Sequence, residues 1–167
     1  MTDAEKATFT AEAKFLRAFF HFRALQVWGT PFLVNEVKKD LTNLASPNAT
    51  KAELFTSILA HFQTAYTGLP ASWDDSNLGR ATKWAARAFE GKVNVWKEDW
   101  DAAIAAFEDV RQNGLYSLMP GYEDAFDFQK ENNDESIFEI QFGGPFSDDN
   151  LWVLTILTPK HSRLHKE

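Results

Sequence analysis

Four stretches of this 167-residue chain place apolar side chains at the three- and four-residue spacing of a helix, and start and stop signals bound most of them. In the first, Phe15, Phe19 and Phe22 share one face, with Leu16 and Phe20 beside it. Thr2 and Glu5 form a capping-box pair ahead of it, and Gly29 followed by Pro31 stops it. A helix over 3–28 would be roughly 39 Å long at about 1.5 Å per residue. Its apolar surface is wide enough to demand neighbours on more than one side. Thr50 and Glu53 form a second capping box, leading into Leu54, Ile58, Phe62, Ala65 and Leu69 before Pro70. Ala81, Trp84, Ala85, Ala88, Phe89, Val93 and Trp96 mark a third helix. Trp100, Ala103, Ile104, Phe107 and Val110 mark a fourth, which Asn113-Gly114 is expected to end in the left-handed conformation. This periodicity assigns Trp84, Trp96 and Trp100 to the core.

The third and fourth helices carry a repeat signal. Gly91, Ala103 and Phe107 stand at the spacing by which tetratricopeptide pairs place a small residue where two helices cross, then an alanine and an aromatic on the second helix. Arg87 and Asn94 occupy positions where larger apolar residues are usual, so the repeat is degenerate. After the helices, residues 136–142 alternate Ile137, Glu139 and Gln141 with Phe138, Ile140 and Phe142, a strand pattern. Residues 151–157 form a short apolar run of the same kind. The expected fold is mainly α: tetratricopeptide-like antiparallel helix pairs with one or two short C-terminal strands.

Composition excludes several functions. The net charge is −7, the acidic excess lies beyond residue 100, and no basic stripe exists to hold nucleic acid. No apolar run approaches the ~20 residues of a membrane span. With no cysteine, disulfides, thiolate metal sites and a cysteine nucleophile are absent from this chain. The phosphate-binding, dinucleotide-binding, nucleophile-elbow and zinc-protease motifs are missing too, so neither a cofactor nor catalysis is expected. His21 and His61 sit alone on helical patterns and read as structural. His161 and His165 have chelating spacing but follow Pro159 at the chain end, and no metal site is expected there. Acidic clusters such as Glu131 to Glu135 lack calcium-loop spacing and read as solvated loops.

Two tryptophans fall outside any helical pattern. Trp73 precedes Asp74-Asp75, and Trp152 follows Asp148-Asp149-Asn150. A flat ring can cover the apolar face of a pyranose while a neighbouring amide or acid takes its hydroxyls. Trp73, Trp152 and Asn150 are therefore the candidate ligand contacts. The alternative is that each ring simply anchors its own loop.

Six segments, in order over about residues 3–142, resemble the SusD/RagB family. Ala11-Glu12-Ala13-Lys14-Phe15-Leu16-Arg17-Ala18 is similar to its first helix, and Trp28-Gly29-Thr30-Pro31-Phe32-Leu33-Val34 to the stretch that follows. Gly79-Arg80-Ala81-Thr82-Lys83, then Asp99-Trp100 with Ala103, resemble its repeat helices. Asn113-Gly114-Leu115-Tyr116-Ser117-Leu118 and Asn132-Asn133-Asp134-Glu135-Ser136-Ile137-Phe138-Glu139-Ile140-Gln141-Phe142 complete the set. The resemblance implies a tetratricopeptide-like scaffold in an outer-membrane surface lipoprotein of Bacteroidetes-type bacteria. It implies non-catalytic capture of an oligo- or polysaccharide and delivery to a SusC-like TonB-dependent transporter. It transfers no binding residue by motif. Family members are longer and carry a leader with a lipid-modified cysteine, so this chain is expected to be a scaffold (1–142) with the truncated start of a variable region and a polar tail (143–167). The competing expectation is a helical-repeat protein-interaction module with no sugar affinity of its own.

Overall fold

The computed structural model describes residues 1–36, 45–127 and 130–141. Four α-helices carry the chain: α1 (Asp3–Trp28), α2 (Lys51–Gly68), α3 (Lys83–Lys97) and α4 (Trp100–Asn113). Short 3₁₀ turns lie at Asp75–Asn77 and Tyr122–Phe126. Each long helix packs mainly on the next in sequence, α1 on α2, α2 on α3 and α3 on α4. That is the arrangement of stacked antiparallel repeat helices. None of the helices among the described residues is long and apolar enough to cross a membrane.

The helices begin where the capping chemistry places them. Thr2 and Thr50 each accept a hydrogen bond from the backbone N–H three residues on, while Glu5 and Glu53 reach back to the cap backbone. Thr82 and Asp99 cap α3 and α4 in the same sense, without the reciprocal glutamate.

The main core is aromatic. Phe15 of α1 and Phe62 of α2 are fully buried. Their ring centroids are 5.7 Å apart, and Phe89 of α3 lies 5.8 Å from Phe15 and 5.6 Å from Phe62. Phe138, from the segment that returns after α4, closes the cluster 5.1 Å from Phe15. These offset and edge-to-face contacts add to the burial of large apolar area.

A second contact set attaches α4. A Cβ built on Gly91 would sit 2.6 Å from the Phe107 ring, so the α3–α4 crossing tolerates only glycine without displacement. The repeat spacing read from Gly91, Ala103 and Phe107 is thus realised as a close crossing, with Ala103 buried. Arg87, unusual at its position, is half-buried. Its Nε donates to Asp109 Oδ2 (2.9 Å) and its Nη1 to Glu90 (2.8 Å). The Tyr66 hydroxyl donates to the same Asp109 oxygen (3.0 Å), so one carboxylate links α2, α3 and α4.

Three expectations require correction. Among the described residues 136–141 there is no strand. An extended segment needs a paired neighbour to form a ladder, and here side chains take over that role. Glu139 accepts the Asn132 N–H at 3.1 Å, and the Asn132 and Gln141 amides pair with each other. Phe138 faces the core as the alternation requires, but Ile140 is exposed. The second expected strand, 151–157, lies outside the described residues.

Trp96 and Trp100 are 51% and 58% exposed rather than buried. Trp96 of α3 meets only the edge of a core ring, Phe22 of α1, at 6.2 Å between centroids, and Trp100 stands exposed on α4 beside Ile104; only Trp84 of the three expected core tryptophans is buried. The left-handed helix end is at Glu98 (φ 64°), not at Gly114, which is extended (φ −69°, ψ 161°). Glu98 and Asp99 alone join α3 to α4. Closing so short a link puts Glu98 N–H on Val95 O (3.1 Å) and Asp99 N–H on Asn94 O (2.9 Å), the Schellman pairing that needs positive φ.

Two stability measurements follow. Phe62→Ala is expected to cost about 3–5 kcal/mol in urea unfolding, because its cavity opens at the centre of the aromatic cluster. Glu98→Gly is expected to stabilise by about 0.5–1 kcal/mol, since glycine relieves the left-handed strain at an exposed position. A loss of stability on that exchange would show that the Glu98 side chain makes a compensating contact.

Candidate functional site

Two of the concave regions among the described residues bear on the candidate contacts, one beside the α2–α3 loop and one beside α1. The smaller, about 220 Å³, is bordered by Trp73, Arg80, Tyr116, Asn132, Ser136 and Glu139. Trp73 stands in the loop between α2 and α3. Its indole N–H donates to Ala81 O at 2.9 Å, and its ring packs on the main core. The Arg80 guanidinium lies over the ring at 4.0 Å from the centroid. Arg80 also forks onto Glu12 of α1, with Nε to Oε1 at 2.7 Å and Nη2 to Oε2 at 2.5 Å. Asp74 turns the loop by accepting the Ser76 N–H at 3.0 Å. These contacts tie the α2–α3 loop to α1. The other two sequence candidates, Trp152 and Asn150, lie outside the described residues.

The larger concavity, about 1070 Å³, opens between the C-terminal half of α1 and the segment that follows it. Phe20, Trp28, Phe32 and Val34 supply apolar walls, with Arg17 and Glu36 among the polar groups. The segment is held in place by α1. His21 Nε2 accepts the Val34 N–H at 3.1 Å, while its Nδ1 lies 2.9 Å from Arg17 O. Only the neutral ring with the proton on Nδ1 satisfies both partners. Arg17 Nη1 donates to Asn35 O at 2.8 Å, and Ala49 N–H donates to Pro31 O at 3.1 Å, pinning the far end.

His21 and His61 are both kept from charging. Burial lowers His21 below its ordinary value, opposed by its bond to Arg17 O and assisted by the Arg17 charge. Burial, then the charges of Lys14, Arg17 and His21, push His61 down to about 4. Among the described residues its buried Nδ1 meets no hydrogen-bond partner. No group of three or more histidines and acids among the described residues is arranged to hold a metal ion. Sequence reasoning recognised His21 as structural but missed its role as a clamp, because its partner, a backbone N–H thirteen residues away, has no side-chain signature. It also missed the concavity. Phe20 and Trp28 belong to the first helical pattern and Phe32 to the stretch after its stop, and nothing in their spacing shows that they stay uncovered.

A pH dependence follows with a definite sign. Both folded histidines titrate below 6.5, the value of the unfolded chain, so the unfolded state binds protons first as pH falls. Their stabilising contribution is full above about 6.5 and declines towards pH 4. The urea midpoint is expected to drop between pH 7 and pH 4.5, and His61→Phe to flatten that slope. An equal slope in wild type and variant would remove His61 from the account.

The family model described as SusD-like, starch-binding associating with outer membrane, matches residues 1–95. A SusD-like protein of Bacteroides ovatus is 29% identical over 153 residues, covering 85% of this chain and 28% of its own length. The crystal structure of a SusD-like protein from Bacteroides fragilis superposes with a TM-score of 0.79 at 30% identity, over 87% of this chain and 29% of that one. A structure solved with a xylogluco-oligosaccharide superposes at 0.78 with 29% identity, over 86% of this chain and 31% of its own. This chain therefore spans under a third of the length of the relatives it matches. With the family model matching more than half of its residues and the same helical scaffold in both solved structures, the chain belongs to the SusD-like family of starch-binding, outer-membrane-associated proteins.

Proposed function

We propose that this chain is the helical scaffold of a non-catalytic glycan-capture protein at the outer-membrane surface, handing oligo- or polysaccharide to a SusC-like TonB-dependent transporter. The observation that carries this reading is the SusD-like match, joined to a helical core that superposes on a relative solved with a xylogluco-oligosaccharide. The scaffold suits the role physically. Three helices packed on one aromatic core, with α4 docked on α3, hold loops such as 69–82 and 30–36 in place, so a ligand need not order them on binding. The expected result is retention of the full-length protein in native gels containing starch, laminarin or xyloglucan, and co-purification of a transporter barrel from outer membranes. Unretarded migration in all three gels would exclude glycan capture, and a missing barrel would exclude the delivery step.

A second reading, a protein-interaction module without sugar affinity, is favoured by one feature. Trp100 and Ile104, one turn apart on α4, leave adjoining apolar surface exposed. Barrel co-purification without gel retention would select it.

A further inference from the structure

We propose that the concavity beside the C-terminal half of α1 is an oligosaccharide subsite on this chain, resting on the glycan-binding reading above. Trp28, Phe20 and Phe32 are its ring surfaces, and Glu36 and Asn48 are its hydroxyl partners.

The first argument is exposure. Trp28, Phe20 and Phe32 are 72%, 65% and 51% exposed, yet they gather around one hollow instead of scattering. Trp73 contrasts with them: its ring carries Arg80 on one side and packs on the core, and its N–H is spent on Ala81. The rings beside α1 are the ones with surface to offer.

The second argument is the polar complement. A pyranose presents an apolar C–H face and a periphery of hydroxyls. It needs an aromatic floor with a few donors and acceptors at the edge, the usual composition of a ligand pocket. Glu36 supplies acceptors, and Asn48 supplies both kinds, within the same lining. The charges narrow the ligand class. Arg17 already donates to Asn35 O, and Glu36 stands in the same hollow with the opposite sign. An anionic ligand would meet a cation already bonded to Asn35 O and the like charge of the Glu36 carboxylate in the same hollow. A neutral polyhydroxylated ligand meets no such penalty.

The third argument is preorganisation. Residues 30–36 carry one wall, and that wall is fixed by His21 to Val34, Arg17 to Asn35 and Ala49 to Pro31. Phe32 is therefore presented on a strapped loop, which reduces the ordering cost of binding. The volume, about 1070 Å³, lies just above the range of ordinary small-ligand sites and suits an extended oligosaccharide rather than a single sugar.

The test is isothermal titration of this chain with maltohexaose, laminarihexaose and a xyloglucan heptasaccharide. Wild type is compared with Trp28→Ala, Phe32→Ala and the control Trp100→Ala, and folding is checked by circular dichroism. Trp28 and Trp100 are both largely exposed, so neither exchange removes core packing. The expected result is binding of at least one sugar by wild type and by Trp100→Ala. Trp28→Ala and Phe32→Ala are expected to weaken it about tenfold or more, the size of losing an aromatic anchor. If both of those variants bind as wild type does, the subsite is overturned while the glycan-capture reading stands. A folded wild-type chain that binds none of the three also overturns the subsite, and gel retention of the full-length protein then decides the broader reading separately.

Discussion

The packing of four phenylalanine rings, Phe15, Phe62, Phe89 and Phe138, is the constraint on which the rest of this structure depends. Three come from three different helices and the fourth from the segment that returns after α4. Large rings set the distance between α1, α2 and α3, and the volume they enclose leaves no choice about which faces turn inward. The fourth ring brings residues 132–141 back against α1, which makes the smaller cleft possible. Remove the cluster and the helices keep their caps but lose the reason to assemble, since short helices are marginal alone.

Around that core, polar side chains attach loops and helices to one another. Arg80 joins Glu12 to the Trp73 face, Arg17 and His21 hold residues 34 and 35, and Arg87 shares Asp109 with Tyr66. Arg80 and Arg87 are half-buried and multiply bonded, the setting in which an ion pair or charged hydrogen bond has structural weight beyond an exposed pair. Two of the three attachments fasten a loop to α1. The first helix is thus both a wall of the core and the post to which the concave surfaces are tied.

Much of this was legible in the residues. Both capping boxes, the bounds of α1 and the Gly91–Ala103–Phe107 crossing follow from local chemistry, and local chemistry survives folding unchanged. The misses have one cause. Trp96 and Trp100 lie on a helical apolar stripe, but a stripe states only that a face is apolar, not how much of it a neighbour covers. Residues 136–141 alternate as a strand does, but a strand needs a partner, and Asn132, Glu139 and Gln141 satisfied the segment by side chains instead. Glu98 took the left-handed turn because a two-residue link between antiparallel helices demands it, whichever residue stands there.

The family resemblance was carried by six ordered segments, and the scaffold it implied is the one observed. What the chain determined by itself was therefore the helices, their ends, the close crossing of the last pair and the kinship. These depend on contacts a few residues apart or on one small residue facing one large one. Only the tertiary structure decided which aromatics stay uncovered. Trp73 is drawn under Arg80 while Trp28 and Phe32 face a hollow, because exposure depends on what lies across from a side chain. In a stack of helices that neighbour comes from a distant part of the sequence.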